Sequence, residues 1–286
     1  MAAEPLFFLH FPRTAGTTID ELFFNNYPAD SILKIYSREE FKAHAFIEEA
    51  DFYKLRYITG HLLLSNTNPT QFYGKNVRAF TFLRDPVTRL HSEYLFLKTW
   101  KNQHLYAYLN DNDISFSRYI TSTEKLLRYR GKNFMTRCIS GCSEDSCDTA
   151  EALEQAKYNL KNTFLFFGLQ ERFMESLLLL AKKANLKNLL HQKRNSLNYG
   201  AVNSPLSPGE VELVREYNRA DLELYAYARE LFDARVREEG EGFQKRLEEY
   251  RFLNKKFQTI SNLLYERATH SKLQDADIEL SKDSRW

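Results

Sequence analysis

The chain is organised around the stretch Leu6-Phe7-Phe8-Leu9-His10-Phe11-Pro12-Arg13-Thr14-Ala15-Gly16-Thr17-Thr18-Ile19-Asp20-Glu21-Leu22-Phe23. It begins as an apolar run of strand length, breaks at Pro12, and continues through small and hydroxylated residues into an amphipathic helical pattern. In that pattern Ile19, Leu22 and Phe23 form the apolar side, against Asp20 and Glu21. A strand, a tight loop and a helix N-terminus in this order form an anion cradle, because the first helical N–H groups lack intrahelical acceptors and the helix dipole is positive there. The stretch therefore predicts a phosphate-binding loop.

The residues of the loop fit that role individually. Gly16 lets the backbone approach an anion closely, the threonine hydroxyls add donors, and Arg13 supplies a fork-shaped permanent cation. The loop is not the standard NTPase motif, because no Lys precedes Thr17. Taken alone, it is also compatible with an ordinary strand-to-helix turn.

Composition limits the classes of partner. Of 286 residues, 43% are apolar and 27% are charged, which is ordinary for a soluble globular protein, and the net charge of +2 gives no reason to expect a nucleic-acid partner. No segment approaches the roughly 20 apolar residues that a membrane span requires, and the N-terminus has no signal-peptide pattern. We therefore expect a cytoplasmic protein without a membrane span. The Golgi lumen is the alternative, if the chain is a trimmed ectodomain.

Apolar strand patterns alternate with helical patterns along the chain. Such alternation predicts an α/β fold with a mainly parallel sheet and helices on both faces. We expect one domain over residues 1–237, followed at 238–286 by a C-terminal helical extension with a polar tail, which is a candidate homo-oligomer contact. The strand patterns lie at 6–11, 31–36, 56–63, 77–84 and 164–169.

Three candidate ligand-binding features follow strands directly. They are the loop from Pro12 to Thr18, His61 just after Gly60, and Arg84 at the end of the clearest strand pattern. Because ligands of open α/β sheets bind at the carboxyl ends of the strands, we expect these features to meet at one edge of the sheet.

Two motifs carry a resemblance to a known family. They are Pro12-Arg13-Thr14-Ala15-Gly16-Thr17-Thr18 and Phe82-Leu83-Arg84-Asp85-Pro86-Val87-Thr88-Arg89-Leu90-His91-Ser92-Glu93-Tyr94. With them the chain resembles carbohydrate sulfotransferases that use 3′-phosphoadenosine 5′-phosphosulfate (PAPS), in particular the heparan sulfate 2-O- and 6-O-sulfotransferases and their bacterial relatives. Supporting blocks extend the resemblance over about residues 6 to 232: Ala156–Leu160, Phe167–Phe173 and Tyr217–Tyr225. The resemblance implies a P-loop-like three-layer sandwich.

The resemblance also implies roles for the two motifs. Arg13, Thr14, Ala15, Gly16, Thr17 and Thr18 would hold the 5′-phosphosulfate, while Arg84 and Ser92 would bind the ribose 3′-phosphate. Relatives usually carry Lys where this chain has Arg13, which can neutralise the leaving phosphate but cannot donate a proton. Without the resemblance, Arg84 and Asp85 could form a structural ion pair, and Ser92 could be an idle helix hydroxyl. Arg89 is expected to be a helix-surface cation.

A general base is needed to activate the acceptor hydroxyl, and His is the side chain best suited to this near neutral pH. His61 matches the histidine that the relatives use, with a carboxylate from the irregular middle of the chain as the alternative. His10, interpreted as lying within a strand, and His44, within a helix, are expected to be structural. His91 neighbours Ser92 but should point away from it. Arg194 and Ser196 lie in a loop that corresponds to the segment closing over the nucleotide in relatives.

The three cysteines, Cys138, Cys142 and Cys147, lack the spacing and histidine partners of a zinc site, and no metal is expected. A disulfide between Cys142 and Cys147 is one interpretation, in an oxidising compartment, and free thiols are the other. The region resembles a disulfide-bearing loop of the 2-O relatives, with altered spacing.

The sequence as a whole favours an enzyme that moves the sulfuryl group of PAPS to a hydroxyl of a carbohydrate or glycan-like acceptor, releasing 3′-phosphoadenosine 5′-phosphate (PAP). Two alternatives remain: a divergent P-loop kinase, which would need Mg²⁺, and a non-catalytic nucleotide-binding protein.

Overall fold

A computed structural model gives the structure of the protein. It describes residues 4–36, 40, 42, 47–60, 71, 72, 74–124, 126, 127, 132–142, 149–192 and 205–283, without the side chains of 266 and 268–283.

A five-stranded parallel sheet forms the centre of the molecule, in the order β2-β3-β1-β6-β7. Strands β1, β3 and β7 are buried at every position, so both faces of the sheet are covered by other parts of the chain. This confirms the predicted fold class. The bounds are β1 Leu6–Leu9, β2 Ile32–Ile35, β3 Tyr57–Gly60, β6 Arg78–Leu83 and β7 Phe166–Leu169, with a small antiparallel pair of β4 Gln71–Phe72 and β5 Lys75–Asn76.

Helices follow most strands, as the alternating pattern predicts. Two single turns of 3₁₀ helix, Ala29–Ser31 and Gln170–Arg172, lie before β2 and after β7. The α-helices are α1 Gly16–Phe24, α2 Glu49–Phe52, α3 Pro86–Thr99, α4 Tyr106–Asp111, α5 Phe116–Thr121, α6 Phe134–Ser140, α7 Thr149–Asn162, α8 Phe173–Ala184, α9 Pro208–Tyr217, α10 Arg219–Glu238 and α11 Gly242–Asp283.

The start of α9 shows how local sequence sets an element. Ser207 is the N-cap and forms a reciprocal capping box with Glu210, and Pro208 takes the first helical position, as the pattern Ser-Pro-Gly-Glu predicts. The apolar positions from Val211 to Leu231 predict one continuous helix, but in the structure α9 ends at Tyr217 and α10 begins at Arg219. Asn218 lies at the break and is fully buried, with its amide donating to the Val214 carbonyl and its side-chain oxygen accepting from the Asn133 N–H.

The segment between α3 and α6 is more ordered than its polar composition suggests. Leu105, Leu109, Ile114, Phe116 and Tyr119 are buried in a second hydrophobic cluster that packs on α3. The sequence indicates a polar, irregular stretch over 103–148 with short helical pieces such as 116–121, and the structure has α5 at that place and adds α4 before it. The segment is a small helical layer with its own core.

Arg89 also differs from expectation. It was expected on the helix surface, but its side chain is completely buried and pairs with Glu93 at 2.8 Å, one turn further along α3. A charge is stable in such a place only when it is paired, which explains why the two residues sit at positions i and i+4.

The C-terminal helix α11 is attached to the body by its first turns. Phe243, Leu247, Tyr250 and Asn254 are buried, and two of these apolar side chains belong to the main core. Further along, large apolar side chains are more than half exposed: Phe252, Leu253, Ile260, Leu263, Leu264 and Tyr265. Among the residues described, we find no helix that combines the length and the apolar character needed to span a bilayer.

Candidate functional site

The backbone of the loop between β1 and α1 is shaped by two left-handed residues. Arg13 has φ of 67° and Ala15 has φ of 65°, and neither is glycine. Non-glycine residues in this region are strained, and such residues cluster at ligand sites. Helix α1 begins directly after them, so its N-terminus faces the edge of the sheet at which β1 ends.

Gly16 has no room for a side chain. A Cβ at this position would lie 1.6 Å from Nε2 of His10, whose ring stacks on Phe8 with ring centroids 5.0 Å apart. His10 therefore lies just past the end of β1 rather than within it, which corrects the expectation from the sequence. Its ring lines the inner side of the loop, and any side chain at Gly16 would have to displace it.

The three threonines of the loop have different surroundings. The Thr14 hydroxyl is fully buried and donates to the Phe11 carbonyl at 2.8 Å, so this hydroxyl closes the loop on itself. Thr17 is exposed, and Thr18 is buried, with its N–H donating to the Ala15 carbonyl at 3.1 Å. The roles of Thr14, Ala15, Gly16, Thr17 and Thr18 in anion binding stay predictions.

The Arg13 side chain crosses from the loop to α3. Its Nε donates to the Ser92 hydroxyl at 3.0 Å, and its guanidinium carbon lies 4.8 Å from the centre of the Phe96 ring. Ser92 and Phe96 are one helical turn apart and therefore share a face of the helix. The cation is held at its edge by a hydroxyl and at its face by an aromatic ring.

Arg84 ties the same loop to the end of β6. Its Nη1 donates to the Arg13 carbonyl at 3.1 Å, and its Nε donates to the Thr88 hydroxyl at 3.3 Å. Asp85 caps α3 by accepting from the Thr88 N–H, and Pro86 occupies the first turn, as the sequence indicates. Arg84 therefore stands at a rigid corner between a buried strand and a capped helix.

The structure thus brings the two sequence motifs together. Arg13 contacts Ser92, which is 79 positions later, and Arg84 contacts the Arg13 backbone across 71 positions. The two predicted binding clusters are the loop after β1 and the residues that follow β6. They meet along a border between the ends of these two neighbouring parallel strands. His61, Arg194, Ser196 and His44 lie outside the described residues.

His91 lies beside this border without joining it. Its ring packs edge-on against Phe116 with centroids 5.5 Å apart. Burial lowers the pKa of His91, the nearby Glu210 carboxylate raises it, and the charge of Arg84 lowers it further.

Asp20 is a residue that the sequence pattern misplaced. It was assigned to the polar side of α1, but it is buried and accepts hydrogen bonds from the Tyr57 hydroxyl at 2.6 Å, the Thr59 hydroxyl at 2.7 Å and the Tyr36 hydroxyl. Burial and the adjacent Asp20 carboxylate raise the pKa of Tyr57 and Tyr36, so both remain hydroxyl donors. The only sequence signal was two tyrosines and a threonine at the strands that flank the helix. Asp20 fastens the helix behind the loop to the strand that leads to His61.

The cysteines are partly described. Cys138 is buried in α6 and takes no part in a disulfide, whereas Cys142 is disulfide-bonded. Cys147 lies outside the described residues.

Comparison with known proteins agrees with this arrangement. The model of the sulfotransferase family matches residues 3–228. Heparan-sulfate 6-O-sulfotransferase 3 of Homo sapiens is 28% identical over 185 residues, covering 56% of this chain and 39% of the relative. Heparan-sulfate 6-O-sulfotransferase 2 of Danio rerio is 29% identical over 216 residues (64% and 45%), and uronyl 2-sulfotransferase of Mus musculus is 27% identical over 187 residues (58% and 45%).

The matched region covers less than half the length of each of these relatives. The match to the family model, over residues 3–228, includes both motifs and the whole of the parallel sheet, whose last strand ends at Leu169. The loop with its left-handed residues and the contact of Arg84 with the Arg13 backbone lie within this match. Because the family model matches most of its length, the chain belongs to the sulfotransferase family.

Proposed function

We propose that the protein transfers the sulfuryl group of PAPS to a hydroxyl of a carbohydrate acceptor. The observation that carries this proposal is the contact between the two motifs: Arg13 and Arg84, one on each motif, meet through the Arg13 backbone, and Ser92 lies beside them. One ligand with phosphate groups at both ends of a ribose would satisfy both cations. The acceptor class comes from the names of the relatives, which act on heparan sulfate and uronyl groups.

The donor set fits such a nucleotide. The N-terminus of α1 offers backbone N–H groups and a favourable dipole to the 5′ end, with Gly16 allowing close approach. Arg84 offers a guanidinium fork and Ser92 a hydroxyl to the 3′-phosphate, both from half-buried positions that water screens only in part. PAPS would supply the sulfuryl group.

Arg13 is proposed to stabilise negative charge on the departing phosphate. Fixed donors aimed at developing charge are the main source of catalysis in the related phosphoryl transfers, so positioning matters more than proton transfer here. Because an arginine stays charged, Arg13 acts as an electrostatic group only. Its contacts with Ser92 and Phe96 keep that charge at the border between the two halves of the nucleotide site.

His61 is proposed to take the proton from the acceptor hydroxyl. It directly follows Gly60, the last residue of β3, and β3 pairs with β1 on the side opposite to β6. The base and the 3′-phosphate residues would therefore flank the loop on opposite sides.

The proposal is tested by following sulfate transfer from ³⁵S-labelled PAPS to a panel of glycan acceptors. We expect transfer in the presence of EDTA. His61→Ala should abolish transfer and leave the affinity for PAP, measured by calorimetry, nearly unchanged. A requirement for Mg²⁺ together with ATP turnover would identify the kinase alternative. Tight PAP binding without transfer to any hydroxyl acceptor would identify the non-catalytic one.

We also propose that the protein works in an oxidising compartment, which favours the luminal alternative over the cytoplasm. The disulfide at Cys142 supports this, because disulfides persist in oxidising compartments and are rare elsewhere. Alkylation of the denatured, unreduced protein followed by mass spectrometry should leave Cys142 unlabelled. Complete labelling of Cys142 would contradict the proposal.

A further inference from the structure

We propose that Glu171, held in place by Tyr225, is a positioning residue that orients Arg84 for recognition of the 3′-phosphate. The inference rests on the function proposed above. It assigns a role to two residues that lie outside both binding motifs.

At the corner that carries Arg84, the backbone N–H of Asp85 needs a hydrogen-bond acceptor from outside the sheet. The pairing between β6 and β7 ends at Leu83 and Leu169, so the peptide group that joins Arg84 to Asp85 lies beyond the ladder. The N–H of this peptide group, on Asp85, donates to Oε1 of Glu171 at 2.9 Å. This bond fixes the plane of the peptide from which the Arg84 side chain projects.

The second carboxylate oxygen of Glu171 is held by another element. The Tyr225 hydroxyl, on α10, donates to Oε2 at 2.6 Å. Burial, and then the hydrogen bond to Glu171, raise the pKa of Tyr225, so the phenol stays protonated and keeps donating. With its two oxygens bonded to different elements, the Glu171 carboxylate has a fixed orientation even though the residue reaches solvent.

The neighbouring arginine does not share this role. Arg172 pairs with Glu175 on α8 and with Asp233 on α10. The Glu171 carboxylate therefore accepts from the Asp85 N–H at the corner and from the Tyr225 hydroxyl.

A carboxylate beside a phosphate site is unfavourable by charge alone, and this separates two explanations. If Glu171 acted through its charge, removing the charge in any way would tighten phosphate binding. If it acts as a positioning residue, Gln should work nearly as well as Glu, because its amide oxygen still accepts from Asp85, whereas Ala should loosen binding. The Tyr225→Phe change removes only one hydroxyl and should have an intermediate effect.

The experiment compares PAP with AMP, which lacks the 3′-phosphate, by calorimetry on the full chain. We expect Glu171→Ala to lower the preference for PAP over AMP by roughly tenfold, since hydrogen bonds to charged groups contribute at about this level. Tyr225→Phe should lower it by about threefold, and Glu171→Gln by less than about twofold. AMP affinity should stay within about twofold of wild type in all variants, because only the 3′ end is affected. Glu175→Ala, which removes a carboxylate one turn further on, is the matched control and should leave the preference unchanged.

The outcomes separate this inference from the proposed function. A wild-type protein that does not prefer PAP to AMP would refute the nucleotide site itself, and with it this role. A wild-type preference that survives Glu171→Ala and Tyr225→Phe would refute the positioning role alone. An increase in PAP affinity in both Glu171→Gln and Glu171→Ala would overturn it in favour of a charge effect.

Discussion

Gly60 offers the sharpest test of how the fold builds this site. It ends β3, and the next residue in the chain is His61. Its φ is 153°, and a Cβ placed on it would lie 1.7 Å from the carbonyl oxygen and 2.6 Å from the carbonyl carbon of Ile35, its partner in β2. The obstacle is backbone, so no side-chain rotation can relieve it.

The cost of Gly60→Ala has two sources. A non-glycine residue forced into a glycine-only backbone region costs about 1–3 kcal/mol. The overlap with the Ile35 carbonyl must be relieved by moving β2, and overpacking of this kind costs about 1–3 kcal/mol. We therefore expect the free energy of unfolding to fall by about 2–6 kcal/mol in total, a large part of the 5–15 kcal/mol typical of a domain.

Two other glycines separate these sources. Gly240 has φ of 73° with nothing within 4 Å of its added Cβ, so Gly240→Ala should show backbone strain alone, about 1–2 kcal/mol. Gly209 lies inside α9, also with open space around its added Cβ, so Gly209→Ala should be neutral or stabilising by up to about 1 kcal/mol. The difference between Gly60→Ala and Gly240→Ala isolates the contact with Ile35.

The assay is urea unfolding followed by circular dichroism, with linear extrapolation to water. If Gly60→Ala costs no more than Gly240→Ala, within about 0.5 kcal/mol, the close approach of β2 and β3 at this point would be refuted.

Three further predictions concern the body of the protein and its C-terminal helix. Arg89→Met should destabilise by about 3–5 kcal/mol in urea unfolding, because it leaves the buried Glu93 carboxylate uncompensated, and the double change Arg89→Met with Glu93→Met should cost less than the single one. Burial lowers the pKa of His191 in the folded state, so protonation favours unfolding: stability is complete above its ordinary value of 6.5 and falls as pH drops below it. His191→Gln should therefore lose less stability than wild type between pH 7.5 and 5.5, and equal losses would contradict this. If the exposed apolar side chains of α11 join two copies, Leu253→Glu should convert a dimer to a monomer in light scattering, whereas a monomeric wild type would exclude the contact.

The central sheet could be predicted because its signal is local. Strands buried on both faces appear as continuous apolar runs, and helices follow β1, β6 and β7 in the described part of the chain. The capping box at Ser207 and the helix start at Pro86 were predictable for the same reason. Elements of this kind depend on a few neighbouring residues.

The residues that escaped prediction depend on distant partners. Asp20 looks like part of a polar helix face, and its burial is explained by three hydroxyls, two from β3 and one from Tyr36, the residue after β2. Arg89 likewise looks exposed from its sequence context, and its burial depends on distant residues such as Phe134 on α6, whose ring centre lies 5.6 Å from the Arg89 guanidinium carbon. The break at Asn218 follows from its bond to Asn133, in a segment that has no strong helical pattern.

Spacing and resemblance single out Arg13, Arg84 and Ser92, and the structure brings these three residues together. Their roles in binding a nucleotide stay predictions, and their arrangement could not be read from the sequence. The Arg13 guanidinium contacts Ser92 and Phe96 from a backbone in the left-handed region. Arginine has no preference for this region, so the sequence does not predict the contact.

The arginine at position 13 has a consequence for the pH dependence of catalysis. Arg13 uses the edge of its guanidinium for Ser92 and the face for Phe96, which a compact ammonium group cannot match at once. Because an arginine side chain stays charged over the working range, turnover should rise with pH as the proposed base His61 loses its proton, and then stay level to about pH 9.5. In Arg13→Lys the loss of the stacked contact, worth about 0.5–2 kcal/mol, should lower kcat by roughly twofold to thirtyfold. The lysine can also lose its own proton near pH 10, so its variant should decline above about pH 9. A wild-type profile that falls on the alkaline side while Arg13→Lys stays level would mean that charge at this position is not what stabilises the departing phosphate.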